Sequence, residues 1–533
     1  MRIAHGPSVA LVVALCGCGD DTVGSIATGS TGTDTGASSS STATAPAQTS
    51  SGADPDTSSS TTAASPAPLE YARGIRLTGL VANQGMQIDL TADGVDIDPA
   101  EYPVRLITGR RTLVRAFWSV HADFTPRELV SRLVVDYPDG TEFVDDRPMM
   151  VEGESENDGP SFQWLLAPDR VVAGMRVRAF ALEPDVALAT GEISDPPPVL
   201  PYAGPVELPL LDAPLELEVV LVPVLHQFDG CERAPVPTDL DVEQMAQALE
   251  QANAVQQAIL TLGDPMPYTD PIGTQDMGFS PILGALAMRR EQDAPADNVY
   301  YYGLIDPCDG FPPGLLGQAL GIPSAPLREL ANQRVSTGRW LGDGATTSET
   351  FVHEVGHSQG RRHVTCSGGE GGPENDYPHD SGRIGNWGFG IHDFELRQPT
   401  SARDYMTYCA NEFVSDYGWE QTLDVIEILT GWNDADIAPG GGEILMGIVY
   451  EGGRAQWWPA RGALVEPETA DARVVWTIDG LEHITAARLG SLPDGPGTLV
   501  TAAVPEAFAS ASMARLEPGG AAPVSVDLRQ LRR

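Results

Sequence analysis

Positive charge is scarce in this chain. It has 32 Lys and Arg residues against 74 Asp and Glu residues, and its formal net charge at pH 7 is -42. A negatively charged surface repels nucleic acid and anionic membranes, so we expect no nucleic-acid partner. Long apolar runs are also scarce. Beyond the N-terminal residues, no segment is apolar enough to predict a membrane-spanning helix.

Residues 1–18 predict a targeting segment rather than part of a fold. The apolar run at residues 8–15 is too short to span a bilayer. The sequence Leu-Cys-Gly-Cys that ends at Cys18 resembles a bacterial lipobox, which implies cleavage before Cys18 and a lipid on its sulfur. Cys16 is unusual within such a motif, so an ordinary secretory signal stays open as the alternative. We expect an exported protein that contacts the membrane only through this lipid, as an outer-membrane or cell-surface lipoprotein, or is otherwise secreted.

Composition divides the remaining chain into four segments. Residues 19–70 are almost wholly small, polar or Pro residues, which predicts a flexible tether. Strand-like patterns between Pro and Gly turns predict a β-sandwich over residues 71–205, whose role stays open between substrate binding, spacing and inhibition. Residues 206–432 mix strand and helix patterns, and residues 433–533 predict a second, small β-domain. In the latter, Trp457-Trp458 could stack on a sugar or pack in a core.

The segment 206–432 carries the clearest periodicities. They predict a first strand, a buried strand, an edge strand above a cleft, and helices, one of which follows a capping-box pattern. The three strands are expected at residues 215–222, 299–305 and 334–338, in that order. The helices are expected from about Asp239, just after Thr346–Glu349, and from about Glu420 to Leu429.

The most informative stretch reads HEVGHSQGRRH. His353 and His357 are four residues apart, so on a helix they project from one face and can bind one metal ion. Glu354 is placed to take a proton from a metal-bound water. Gly360 can adopt the left-handed conformation that ends a helix, which would bring His363 back as a third ligand. Three protein ligands leave a fourth position open, which is typical of catalytic zinc.

Further along, residues 404–409 read DYMTYC. HExxHxxGxxH followed by a Met-containing turn resembles the metzincin metallopeptidases. The stretch of about 340–430 is similar to bacterial secreted or lipoprotein metzincins of the mucin-cleaving type. The resemblance implies an α/β metzincin-like catalytic domain, here flanked by N-terminal and C-terminal β-sandwich-like domains, with one catalytic Zn²⁺. It also implies that Met406 lies in a tight turn beneath the histidines and that Tyr408 could stabilise an oxyanion; a core role for Tyr408 is the alternative.

Four cysteines remain beyond the N-terminal segment, and an even number in an exported protein favours disulfides, with three pairings open. We favour Cys366–Cys409, because one follows the zinc motif and the other adjoins the Met-turn of the resemblance. The remaining pair is then Cys231–Cys308. The functional alternative is a Cys231 thiolate that blocks the zinc in a latent form.

The loop at residues 364–403 is rich in metal-binding residue types, so a second, structural ion such as Ca²⁺ could lie there, although exposed loop polarity explains the same residues. They are Glu370, Glu374, Asp376, His379, Asp380, His392 and Asp393.

The sequence therefore predicts an exported zinc endopeptidase that hydrolyses extracellular proteins or glycoproteins through a water activated by zinc and Glu354. One alternative is a surface adhesin or glycan-binding protein with a vestigial zinc site, against which the intact Glu354 argues. Another is a zinc hydrolase that acts on a non-peptide amide. The sequence makes no prediction about oligomeric state.

Overall fold

The computed structural model describes residues 69–531, except 274–276, 369–370, 433–440 and 521. The predicted signal segment with Cys18, and almost all of the predicted tether, lie outside the described residues. The described part is β-rich and contains several sheets and four α-helices. Within it, no helix combines the length and the apolar character that crossing a membrane requires.

Two sheets formed by the N-terminal part of the described chain share one apolar core. Leu77 and Val114 of one sheet belong to the same buried cluster as Leu133 and Val177 of the other. Strand Arg127–Asp136 alternates buried and more exposed residues along its length, as a strand with one covered face does. The first sheet contains Glu70–Tyr71, Arg127–Asp136, Glu142–Val151, Arg176–Glu183, Val199–Leu200 and Val206–Glu207, and the second contains Ile75–Asn83, Gln87–Ala92, Val95–Asp96, Thr112–Val120 and Phe162–Leu166.

The central part combines a seven-stranded sheet with four helices. The strands are Glu216–Phe228, Cys231–Arg233, Gln257–Leu262, Met266–Tyr268, Tyr300–Ile305, Gly317–Ala319 and Val335–Arg339. The helices are α1 (Asp239–Ala252), α2 (Ser280–Asp293), α3 (Gly344–Ser358) and α4 (Asp416–Thr430).

The order of the central sheet corrects one prediction. The expected edge strand near 334–338 exists as Val335–Arg339, but it pairs on one side with Tyr300–Ile305 and on the other with Gly317–Ala319. Gly317–Ala319 runs antiparallel to its neighbour and ends the strand order among the described residues. We call it the edge strand from here on. Val335–Arg339 is therefore an internal strand, and four of its five residues are buried.

Helix ends follow local capping more closely than the sequence patterns suggested. The side chain of Asp343 accepts a hydrogen bond of 2.7 Å from the Thr346 backbone N–H, so α3 begins at Gly344. The capping box predicted at residues 346–349 is therefore wrong, because those residues already lie within the helix. Ser415 caps α4 in the same way, through Gly418, and starts that helix before the expected position near residue 420. Helix α2 was not predicted.

The C-terminal strands form one continuous antiparallel sheet of seven strands, not the expected two-sheet sandwich. Alternation along the first strand places Ile444 and Met446 in a cluster with α2 residues, and Leu445 in a second cluster on the other side. Both faces are thus covered without a second sheet. Trp457 and Trp458 are buried in these clusters, so the sugar-stacking interpretation is wrong. The strands are Gly442–Val449, Ala455–Gly462, Ala472–Ile478, Leu481–Ser491, Thr498–Ala503, Met513–Pro518 and Val524–Ser525.

The N-terminal sheets pack against α1 and α4. Arg110 is buried and donates hydrogen bonds to the backbone carbonyls of Val255 (2.6 Å) and Glu250 (2.8 Å). Trp419 of α4 donates through its indole N–H to the Arg105 carbonyl at 2.9 Å. Burial of these polar contacts fixes the N-terminal sheets on the central part. Three two-stranded pairs complete the described strands: Leu106–Ile107 with Leu210–Leu211, Gly388–Phe389 with Leu396–Arg397, and Arg403–Asp404 with Glu412–Phe413.

Candidate metal centre and active site

Helix α3 carries two of the three motif histidines. Phe351 and Val355 are fully buried and anchor the helix in the largest apolar cluster. His353 and His357 are one turn apart, both are buried, and their ring centroids are 4.9 Å apart. The helix thus presents two imidazoles on one face, as their spacing predicts.

Gly360 reverses the chain directly after α3. Its φ is 96°, in the left-handed region, and the Arg361 N–H donates to the Gly356 carbonyl at 2.9 Å across the turn. A Cβ at this position would lie 2.9 Å from the Pro323 carbonyl oxygen, so a side chain would meet backbone as well as strain. The turn brings His363 back until its Nε2 lies 3.1 Å from His357 Nε2.

Each of the three imidazoles is held by its other nitrogen. The Nδ1 atoms of His353, His357 and His363 lie 2.8, 2.8 and 2.7 Å from the backbone carbonyls of Tyr405, Arg361 and Gly371. A carbonyl only accepts, so each Nδ1 carries the proton and each Nε2 keeps its lone pair. This arrangement orients imidazoles for a metal ion.

A tight turn lies beneath α3. The Thr407 N–H donates to the Asp404 carbonyl at 3.0 Å, and the Met406 N–H donates to Asp404 Oδ1 at 2.9 Å. Met406 is fully buried, and a Cβ at Gly356 would lie only 2.7 Å from its sulfur. The glycine between the two helical histidines therefore allows the turn to pack directly against them.

Tyr408 follows this turn and is half exposed, at 55% of its surface, so the interpretation of Tyr408 as a core aromatic is wrong. Its hydroxyl lies 2.9 Å from His363 Nε2 and also contacts Asp494.

Asp494 is the residue that sequence reasoning missed. It lies in the loop between strands Leu481–Ser491 and Thr498–Ala503, and its carboxylate joins the three histidines in a group able to hold a metal ion. Its oxygens lie 2.9 Å from His357 Nε2, 2.9 Å from His363 Nε2 and 3.8 Å from His353 Nε2. Only a Pro-Asp-Gly turn pattern marks it in the sequence, and such turns are common.

The electrostatics of this group favour a cation. Burial lowers the pKa of His353 to about 3, so its ring is neutral at pH 7. Although burial opposes the ionisation of Asp494, the neighbouring histidines His357 and His363 lower its pKa overall. Glu354 is also buried; burial and then the Asp494 charge raise its pKa well above the usual range.

The donor set fits a metal ion. Two imidazole Nε2 atoms 3.1 Å apart cannot both carry protons without strong repulsion, whereas a cation can accept both lone pairs. Tetrahedral coordination at zinc–nitrogen distances of about 2.0–2.1 Å sets ligand atoms roughly 3.3 Å apart, close to the separations here. Among the described residues, His353 Nε2 and Glu354 Oε2 are buried without a hydrogen-bond partner.

A cavity of about 580 Å³ opens beside this group. Its walls include Gly317 of the edge strand together with His353, Glu354 and Tyr408. A Cβ at Gly317 would lie 2.5 Å from Glu354 Oε1, so glycine is what allows the edge strand to approach the carboxylate. The cavity is therefore lined both by residues of the metal-binding motif and by the edge strand. No described residue of the N-terminal sheets lines it, which gives no support to an inhibitory role for them.

Two disulfides are present, Cys366–Cys409 and Cys231–Cys308, which are the favoured pairs. The first joins the segment after His363 to the segment after Tyr408. Because Cys231 is bonded, a Cys231 thiolate that blocks the metal is wrong. Disulfides of this kind fit an extracellular or secreted protein.

The loop at residues 364–403 does not gather its acidic residues into a further metal-binding group in its described part, so the structure gives the calcium prediction no support. His379 pairs with Asp416 at 2.6 Å and His392 with Glu250 at 2.7 Å. Glu370 lies outside the described residues.

A model of the Peptidase M66 family matches residues 334–423. The matched range runs from the strand before α3 to the first half of α4, so it includes the three histidines, Glu354 and Met406. The match supports a peptidase related to mucin-cleaving proteases. No curated protein matches the chain.

Proposed function

We propose that this chain is an exported zinc endopeptidase of the metzincin type, acting on extracellular proteins or glycoproteins. The observation that carries the proposal is the convergence of three backbone-tethered imidazoles beside the buried Glu354 carboxylate. His353, His357 and His363 would hold the ion. When bound, zinc supplies a Lewis acid that polarises the scissile carbonyl.

Glu354 acts as the general base and acid in this proposal. Its burial and raised pKa suit a carboxylate that takes a proton from the attacking water and returns it to the leaving amine. The Tyr408 hydroxyl, beside His363, would donate a hydrogen bond to the developing oxyanion.

The edge strand would position the substrate. It ends the strand order of the described residues, so an extended peptide could add to it as a further strand and place its backbone along the cavity. Pairing through the main chain would bind many sequences and leave selectivity to the cavity walls. The binding-protein alternative gains nothing from the structure, since Trp457 and Trp458 are buried.

The test compares the full chain with its Glu354→Gln variant on a panel of peptides and mucin-type glycoproteins, with and without a zinc chelator. We expect one bound zinc in both proteins and a rate about 100- to 10,000-fold lower in the variant. Glu243→Gln, an exposed site on α1, is the matched control and should retain the full rate. Cleavage that survives both the chelator and Glu354→Gln would contradict the mechanism.

A further inference from the structure

The fourth position at the three histidines is filled by a residue from a distant part of the chain. The Asp494 oxygens approach two of the three imidazole Nε2 atoms to 2.9 Å. A peptidase site needs that position for water and for the scissile carbonyl. A carboxylate there gives the site four protein ligands, which is the arrangement of a closed structural metal site.

The same carboxylate engages other parts of the proposed machinery. The Tyr408 hydroxyl contacts Asp494, so it is not free to meet an oxyanion. Glu354 and Asp494 line the same cavity. The proposed oxyanion donor is therefore engaged by Asp494, and the proposed base shares its cavity with this second carboxylate.

Asp494 also divides the cleft. It lines a cavity of about 640 Å³ that includes Arg362 and His363, and it lines the cavity of about 580 Å³ that includes Glu354. Tyr408 also lines both cavities. An extended substrate must cross from one cavity to the other past the histidines, so Asp494 lies in its path.

The loop that carries Asp494 is fixed against the edge strand. The Pro496 carbonyl accepts a hydrogen bond of 2.9 Å from Ser280 Oγ, and Gln318 of the edge strand donates to the same hydroxyl at 2.9 Å. A Cβ at Gly495 would lie 2.1 Å from the Gln318 side chain, so the loop passes directly over the strand proposed to bind substrate.

The C-terminal sheet, which carries the Asp494 loop, is held on α2 by apolar contacts. Ile444, Met446 and Trp458 of that sheet share a buried cluster with Ile282 and Leu286 of α2. Separating such a surface would expose a large apolar area. Residues 493–497, with glycines at 495 and 497, are the part of the loop that can be withdrawn while the sheet stays in place, whereas Leu492 belongs to the buried cluster.

We propose that Asp494 is the fourth metal ligand of a latent peptidase and that activity requires withdrawal of residues 493–497. This inference rests on the proposed peptidase function.

The test uses the full chain with Asp494→Asn and Asp494→Gly. Asp494 has a φ of 58°, and Asn or Gly tolerates this conformation, so both variants should fold. Asp479 is the matched control, because it is exposed, has a φ of 50° and precedes a glycine in the same sheet. The controls are Asp479→Asn and Asp479→Gly.

The first readout is binding of acetohydroxamate to the cobalt-substituted proteins, followed by visible absorption. We expect both Asp494 variants to bind the hydroxamate at least 10-fold more tightly than the wild type, with an altered cobalt spectrum before it is added. The Asp479 variants should match the wild type. Equal affinity and spectra in all five proteins would overturn the proposal, as would loss of the metal from both Asp494 variants.

The second readout is cleavage of the peptide and glycoprotein panel, which separates this proposal from the proposed function. A rate at least 10-fold higher in Asp494→Gly, abolished by adding Glu354→Gln, supports both. Tighter hydroxamate binding without any cleavage would retain Asp494 as the ligand and reject the peptidase. A wild type that already cleaves as fast as Asp494→Gly would retain the peptidase and reject latency.

Discussion

Asp404 is the buried carboxylate on which the turn beneath the histidines depends. It is fully buried, accepts from the Met406 N–H at 2.9 Å, and contacts the Ser415 hydroxyl. It also pairs at 3.3 Å with Arg361, which is 2% exposed. Burial opposes the charge of Arg361, but the Asp404 charge nevertheless raises the Arg361 pKa above its ordinary value.

Asp404→Asn keeps the shape of this side chain and removes its charge. Removing one partner of a buried pair costs about 3–5 kcal/mol, because the other charge stays buried without compensation. A cooperative unit of the size of this chain's central part changes Tm by about 2–4 °C per kcal/mol. We therefore expect Asp404→Asn to lower Tm by roughly 6–20 °C.

The control is the same substitution at an exposed pair. Asp424 of α4 lies 2.5 Å from Arg105, and its side chain is 68% exposed, so the pair contributes about 0–1 kcal/mol. Both variants are unfolded thermally in the zinc-loaded state and followed by near-ultraviolet circular dichroism. If the Tm of Asp404→Asn falls no further than the Tm of Asp424→Asn, the buried pair does not hold the turn and the reasoning is refuted.

Two further predictions concern the same region. Replacing Cys366 and Cys409 by serine opens a loop whose ends are 43 residues apart, which should cost up to about 4 kcal/mol in urea unfolding; unchanged stability would contradict this. Gly356→Ala should destabilise the protein by about 1–2 kcal/mol, because its Cβ would meet the Met406 sulfur. Gly431→Ala at the end of α4 is the comparison, because the nearest atom to its Cβ would be 3.4 Å away, and it should stabilise the protein by up to about 1 kcal/mol. Stability changes of the same sign in the two variants would refute the packing explanation.

Local patterns predicted the local parts of the structure well. The helix with His353 and His357, the turn at Gly360, the strand Tyr300–Ile305 and helix α1 each depend on residues near one another in sequence. Backbone conformation and side-chain spacing encode such features directly. The exact start of α3 was missed, because several residues before it can act as caps and only the three-dimensional structure selects Asp343.

Pairing between strands was less predictable. The polar strand Val335–Arg339 is internal, and the short segment Gly317–Ala319, which has little strand character, forms the edge. Edge or interior position depends on which neighbour occupies each side, and a strand's own composition carries little of that information.

The sequence by itself determined the proposed metal ligands and base, which are three histidines and one glutamate, and the glycine that turns the chain between them, because helix periodicity and backbone freedom are local properties. Only the tertiary structure decided which residue faces these side chains. Asp494 is one of 74 acidic residues, and nothing near it in sequence sets it apart. It reaches the histidines because a C-terminal sheet docks on α2 through a buried apolar cluster and extends one loop over the edge strand. That packing places a carboxylate where a peptidase would need its water.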